Sequence, residues 1–147
     1  MNNESKILIS SGQQTLRVPR KKIVSLVQFI AERENIILDQ LDISVVGDDE
    51  MSQINWDFLQ HEGTTDVISF DLSDEFSQGI SGQLIVCADV AKTQGPSFGN
   101  SPTKELLLYV AHGLLHLIGY DDLQEDKKKI MHARQSELLE LFLESQK

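Results

Sequence analysis

The sequence predicts a single α+β domain in which helices pack on a mixed sheet of about four strands. Three observations support this fold class. The chain has 147 residues, close to the commonest size of one domain. Four short apolar runs have strand length, and four longer stretches carry helix signals. One of those helices, beginning after Ser101, is apolar almost all round, so we expect it to be the central, buried element.

The predicted strands are short runs of apolar or alternating residues. In one of them Leu41, Ile43 and Val45 alternate with other residues, as a strand with one buried face requires. The four predicted strands cover residues 6–10, 41–46, 66–72 and 82–87. The serine- and glycine-rich stretch between the last two strands, and residues 95–100, are expected to be loops.

The first two predicted helices are placed by their first residues and by apolar spacing. Pro19 opens the first helix, because proline is tolerated at a helix start. Its buried face is expected to hold Ile23, Leu26, Val27, Ile30 and Ala31. Asp48 is expected to cap the second helix. That helix is expected to place Met51, Ile54, Asn55 and Phe58 on one face.

The last two predicted helices have clearer boundaries. A capping hydroxyl at Ser101 followed by Pro102 is a strong helix start, and Gly119 is a suitable C-terminal cap. The final helix is expected over about residues 123–145. Its apolar stripe comprises Ile130, Met131, Leu138, Leu141 and Phe142.

Composition restricts the compartment and the partners. The only cysteine, Cys87, lies in an apolar run and is expected to be a buried small hydrophobe in a reducing environment. The first residues do not resemble a signal peptide and no stretch is long enough to span a bilayer, so we expect a cytoplasmic protein with no membrane partner. The net charge of −10 means that any contact with nucleic acid must be local or assisted by a partner.

A pair of histidines on the apolar helix predicts a metal site. His112 and His116 are four residues apart, so both imidazoles lie on one helix face and can reach one ion. Gly119 lets the chain reverse, so that Asp121 or Asp122 can return to the ion. Two histidines and one carboxylate form a catalytic zinc set with a fourth position left open. Metalloprotease helices carry a glutamate after the first histidine, and Gly113 in that place argues against protease chemistry.

Each of these residues also has a purely structural interpretation. A histidine in an apolar helix is often a hydrogen-bonded core residue. The run from Asp122 to Glu125 has the form of a capping box for the last helix, which on physical grounds alone is favoured over metal ligation. His132 is expected to be solvated surface. His61, in a loop, is a weaker candidate for the site.

The segment H-G-L-L-H-L-I-G-Y-D-D, residues 112–122, resembles the H-G-x-L-H-L-x-G-Y-D-H signature of the YbeY family. T-D-V-I-S-F at residues 65–70 and G-Q-L-I-V at 82–86 resemble further blocks of that family, and Asn55 falls where its asparagine is placed. The resemblance spans about residues 40–145, in order. The resemblance implies that residues 1–147 form a single YbeY-like, metal-dependent hydrolase domain, with a mixed sheet around a metal-binding helix.

The resemblance also implies a function. The family comprises bacterial, metal-dependent, single-strand-specific endoribonucleases of rRNA maturation and ribosome quality control. It implies single-stranded RNA or rRNA as substrate, the ribosome or ribosomal proteins as partners, and His112, His116 and Asp122 as ligands of one divalent metal ion. Zinc is the first choice of metal, with manganese or nickel as alternatives.

The sequence departs from the family pattern at two important positions. The third family ligand is a histidine, and Asp122 replaces it here. An arginine important for RNA cleavage is replaced by Leu59, which predicts slower catalysis. His61 is the candidate catalytic residue that offers a donor or proton relay instead. Two alternatives stay open: a weakly catalytic or non-catalytic ribosome assembly factor with a structural metal, and a metal-dependent hydrolase of another substrate.

Overall fold

Four strands and five α-helices follow one another along residues 6–147, the part of the chain that this computed structural model describes. In chain order the elements are β1 Ile7–Ser11, α1 Arg20–Arg33, β2 Leu38–Val46, α2 Asp48–Ile54, a π-helical turn Asn55–Leu59, β3 Val67–Asp71, β4 Ile80–Cys87, α3 Ala88–Ser97, α4 Pro102–Ile118 and α5 Glu125–Ser145. Residues 1–5, which bear on the expected lack of a signal peptide, lie outside the described residues.

The strands form one mixed sheet in the order β1-β2-β4-β3, which confirms the predicted fold class. β1, β2 and β4 run parallel, and β3 pairs antiparallel with β4 at the sheet edge. Two bonds at the ends of the β3–β4 pair show which residues of β3 bond to β4: Asp66 O accepts from Cys87 N, and Leu72 N donates to Ser81 O. Because hydrogen-bonded residues alternate along an antiparallel pair, the backbone N–H and C=O of Ser69 point outward from the sheet edge, away from β4.

Helix α4 packs against β3 and β4 of the sheet and against α1, α3 and α5, so it is the central helix that the sequence predicted. Ten of its residues are buried. Its start is also as predicted, because Ser101 Oγ accepts from Lys104 N at 3.1 Å and Pro102 is the first helical residue. Gly119 ends the helix with φ of +122°, a conformation that favours glycine.

Helix α3 was not predicted, and the expected loop at 95–100 is therefore wrong in part. Its ten residues include Gly95 and Pro96, which hide a helical pattern in the sequence. Pro96 lies in the last turn, and Gly95 lets α3 approach α4 closely. A Cβ at Gly95 would stand 3.1 Å from Glu105 Cβ and from the backbone oxygens of Asn100 and Ser101.

Helix α2 differs from the prediction at its cap and at Phe58. Asp48 does not cap α2: Gly47 is the cap residue, and Asp48 N donates instead to Asp89 Oδ2 at 2.7 Å. The pKa of the Asp89 carboxyl is lowered by the hydrogen bond from Thr15 and by this backbone bond. Phe58, expected on the buried face of α2, lies in the π-helical turn and is exposed.

Helix α5 begins at Glu125, close to the expected start, and buries three of the five predicted stripe residues. Gln124 is its cap residue and makes no side-chain capping bond, so the predicted capping box is absent. Ile130 and Leu141 are exposed, whereas the buried residues are Met131, Gln135, Leu138, Leu139 and Phe142. Among the described residues, no helix has the length and apolar character needed to cross a bilayer.

Candidate metal centre

Three side chains converge where α4 ends and the chain reverses. His116 Nε2 lies 3.2 Å from His112 Nε2 and 3.3 Å from Asp122 Oδ2, and His112 Nε2 lies 3.7 Å from that same oxygen. The helical spacing brings the two imidazoles together, and the turn at Gly119 returns Asp122 to them. The structure thus brings together the three residues that the sequence singled out, and these three could hold a metal ion.

The separations suit a small tetrahedral ion. Zinc bonds to imidazole nitrogen and carboxylate oxygen are about 2.0–2.2 Å long, so neighbouring tetrahedral ligands stand about 3.3–3.5 Å apart. The three measured separations of 3.2, 3.3 and 3.7 Å are close to those edges. Three protein ligands leave the fourth position for water or substrate, which is the form of a catalytic site.

A residue that the sequence did not single out orients His112. Gln135 Oε1, on α5, accepts a hydrogen bond of 2.6 Å from His112 Nδ1. An imidazole that donates through Nδ1 presents the lone pair of Nε2, the atom that faces His116 and Asp122. Burial lowers the pKa of His112, which also favours the neutral form that metal ligation needs.

The loop that carries Asp122 is held in place independently of any metal. Tyr120 Oη donates to Glu34 Oε1 at 2.7 Å, and Arg134 Nε donates to the same oxygen at 3.2 Å. This links the loop to α1 and α5. The carboxylate that bonds the local backbone is that of Asp121, whose Oδ1 accepts from Leu123 N. The Asp122 carboxylate is therefore available to the histidines.

Gly113 faces the sheet and not the cluster. A Cβ there would stand 2.9 Å from Leu84 Cδ2, 3.0 Å from Ser69 Oγ and 3.1 Å from Val67 Cγ2. Ser69 Oγ also donates to Gly113 O at 3.1 Å, which ties α4 to β3. No glutamate fits at this position without moving the helix off the sheet. The structure therefore explains physically why the glutamate of a protease helix is absent.

An open cavity of about 620 Å³ lies over the three residues. We call it the central cavity. His61, Leu59 and Asp66 line it together with His112, His116 and Asp122. Its lining within residues 6–147 holds four carboxylates and no lysine or arginine, so local charge alone would not attract a phosphate. The lining residues with carboxylates are Glu62, Asp66, Asp71 and Asp122.

The segment that carries His61 is shaped by a buried asparagine. Asn55 is 4% exposed, and its Nδ2 donates to Gly63 O at 3.0 Å while its backbone oxygen accepts from His61 N. Gln60 takes a left-handed conformation with φ of +55°, which turns the chain after the π-helical turn. Both features place His61 at the wall of the central cavity. His132, in contrast, is exposed, as predicted.

Comparison with known proteins places the chain in a family. The family profile described as Endoribonuclease YbeY matches residues 3–143. The chain belongs to the YbeY family. It is 37% identical to the Endoribonuclease YbeY of Staphylococcus saprophyticus over 82% of this chain and 84% of that protein. It is 35% identical to that of Bacillus subtilis, over 83% and 85%. For the Arthrobacter protein of the same name the identity is 34% over 97% and 90%.

A solved structure has a similar fold. A Thermotoga maritima protein determined in solution superimposes with a TM-score of 0.64, covering 95% of this chain and 90% of that protein. The sequence identity is 28%. The α+β architecture of this YbeY-family chain therefore matches a known fold over nearly its whole length.

Proposed function

We propose that this YbeY-family protein is a metal-dependent endoribonuclease that cleaves single-stranded RNA, with ribosomal RNA as its natural substrate. One observation carries the proposal: His112, His116 and Asp122 present their ligand atoms at tetrahedral separations beneath an open cavity. Membership of a family whose members are named endoribonucleases supplies the reaction class. Neither alternative, an assembly factor with a structural metal or a hydrolase of another substrate, gains support from that membership.

Zinc is the metal we propose, with manganese or nickel as alternatives. Two imidazoles suit zinc or nickel, and the carboxylate of Asp122 raises the affinity for manganese because oxygen ligands suit that ion. The negative charge of Asp122 also makes the bound ion a weaker electrophile than an ion held by three neutral ligands. When bound, the ion polarises a phosphoryl oxygen and lowers the pKa of a coordinated water.

The chain's own groups orient the substrate and move protons. His61 lines the central cavity and is the proposed proton donor or relay at its wall. The hydroxyl of Thr64 lines the same cavity, and the backbone N–H of Ser69, which faces outward from the sheet edge, adds a second donor. These neutral donors take part of the place of the missing arginine, because they can bond phosphate oxygens without a charge.

Delivery of RNA is the weak step for an acidic protein. With a net charge of −10 and no cation in the described lining of the central cavity, free RNA is repelled at long range. We therefore propose that the ribosome or its proteins present the rRNA strand, in the cytoplasm. Slow cleavage of free RNA is part of this proposal.

The test compares metal content and RNA cleavage in the same preparations. Purified wild type should carry about one transition-metal ion per chain and should cut a labelled single-stranded RNA but not its duplex. A chelator, or His116→Ala, should abolish both metal and cleavage. Phe76→Ala is the control substitution, because Phe76 is 82% exposed and does not line the central cavity. Equal cleavage by wild type and His116→Ala would overturn the proposal.

A further inference from the structure

A second cavity, of about 380 Å³, lies against His112 beside the central cavity. Phe98, Asn100, His132 and Gln135 line it, and it shares Asp66 and His112 with the central cavity. His112 separates the two: Nε2 faces His116 and Asp122, and Nδ1 faces Gln135. We infer that this second cavity binds a nucleobase of the RNA strand whose phosphate lies at the central cavity. The inference rests on the proposed function.

Gln135, a largely buried residue that lines the second cavity, has an accessible side-chain donor. Gln135 is only 7% exposed, and its Oε1 is engaged by His112. Its Nε2 makes no hydrogen bond to any residue of 6–147, yet no buried side-chain nitrogen or oxygen in that range lacks a partner. The Nε2 atom is therefore accessible, and the space that Gln135 lines is the second cavity. This donor can bond an acceptor of a ligand in the cavity, and every nucleobase has one on its edge.

A fixed acceptor complements that donor. Asn100 Nδ2 donates to Glu105 Oε1 at 2.9 Å, and no donor among residues 6–147 bonds the Asn100 side-chain oxygen, which is open to a ligand. Glu105 is 3% exposed, and burial, together with the interaction with Glu105, raises the pKa of Tyr109. The bond to this buried carboxylate holds the Asn100 amide in one orientation, so a polar ligand meets a donor and an acceptor in defined places.

The remaining lining favours a flat, uncharged ligand. Phe98 is 71% exposed at the end of α3, where its ring is free to stack. The carboxylates of Asp66 and Glu105 line the same space, so a phosphate would be repelled whereas a neutral base would not. An aromatic face with a few fixed polar groups is the usual way in which proteins bind an unstacked base of single-stranded RNA.

The experiment measures RNA affinity and cleavage in parallel. The Kd of a labelled single-stranded RNA is measured with metal-free protein, and kcat and KM are measured with metal-loaded protein. Phe98→Ala should raise Kd and KM about fivefold or more, the low end of the loss for one base stack. The value of kcat should change less than twofold. Phe98→Trp should restore both constants. Phe76→Ala is the matched control, since Phe76 is 82% exposed and lines neither cavity.

An RNA lacking its bases separates this inference from the proposed function. An abasic strand should bind wild type and Phe98→Ala equally, because no stack remains to be lost. Three results would each overturn the base site. Phe98→Ala could leave the Kd unchanged, it could lose as much affinity for the abasic strand as for the intact strand, or wild type could bind no single-stranded RNA. Cleavage that survives in His116→Ala would instead overturn the proposed function, and the affinity comparison would still decide the base site.

Discussion

The hydrogen bond between Gln135 and His112 gives the sharpest prediction about metal affinity. Gln135→Met keeps the side chain's length and its burial on α5 but removes the 2.6 Å acceptor from His112 Nδ1. The imidazole then has no partner that selects the tautomer with a free Nε2 lone pair. Loss of such a supporting bond typically costs about 10–100-fold in metal affinity. That range corresponds to about 1.4–2.8 kcal/mol of binding free energy.

Replacing the same residue by glutamate should act in the opposite direction. A carboxylate accepts the Nδ1 proton more strongly than an amide and raises the basicity of the ligand nitrogen. Gln135→Glu should therefore bind the metal at pH 8 at least as tightly as wild type, while Gln135→Met binds it more weakly. If only Gln135→Met loses metal affinity, the hydrogen bond to His112 is the cause. If both variants lose the same affinity, disturbed packing is the cause.

The assay is competition of the purified proteins with a coloured chelator at pH 8. The visible spectrum of the cobalt-loaded protein reports whether the geometry stays tetrahedral. Gln94→Met, at an exposed site on α3, is the control for an ordinary glutamine replacement. Thermal unfolding of the metal-free proteins checks that the fold is kept. If folded Gln135→Met holds zinc as tightly as wild type, then this bond does not prepare His112 for ligation.

Four further predictions follow from single positions. Leu59→Arg should raise the cleavage rate at least about tenfold, because a charge-stabilising donor typically contributes a factor of about 10²–10³ in rate. Stability should be kept, because Leu59 is 44% exposed at the central cavity, and a folded variant with no gain in rate contradicts the prediction. Asp122→Asn should weaken metal binding in the chelator competition, whereas Asp122→His should preserve it. Gly113→Ala should lower the unfolding free energy by about 1–3 kcal/mol through overpacking on the sheet. Cys87 is fully buried and burial raises its pKa, so a thiol reagent at pH 8 should react only after denaturation.

The parts of the fold that were predictable are those with local signals. Ser101, Pro102 and Gly119 mark the two ends of helix α4 in the sequence. The structure has both the capping bond at Ser101 and the positive φ at Gly119. The strands were recognised from apolar runs, although β2 begins at Leu38, earlier than expected. Helix α3 was not predicted because Gly95 and Pro96 interrupt its helical sequence pattern. The close approach of α3 to α4 explains why a glycine lies at position 95.

The candidate site was predictable only where one short segment supplies it. His112 and His116 were found from their spacing in one helix, which left Asp121 or Asp122 open as the third ligand, and the family resemblance selected Asp122. Gln135 joins them from α5, and no spacing rule connects residues 23 positions apart. Its one sequence signal is a polar residue in the stripe between Met131 and Leu138, which turned out to be buried. The same limit explains the cap of α2, whose acceptor Asp89 comes from α3.

One titration tests directly whether His112, His116 and Asp122 bind the metal on which RNA cleavage depends. Metal-free protein is titrated with zinc, and separately with manganese, while metal bound per chain and the rate of cleavage of a single-stranded RNA are followed together. The structure predicts that cleavage is absent at the start, rises in proportion to occupancy, and stops rising at one ion per chain. Cleavage by the metal-free protein, or a rate that does not follow occupancy of this site, would contradict this role of the three residues.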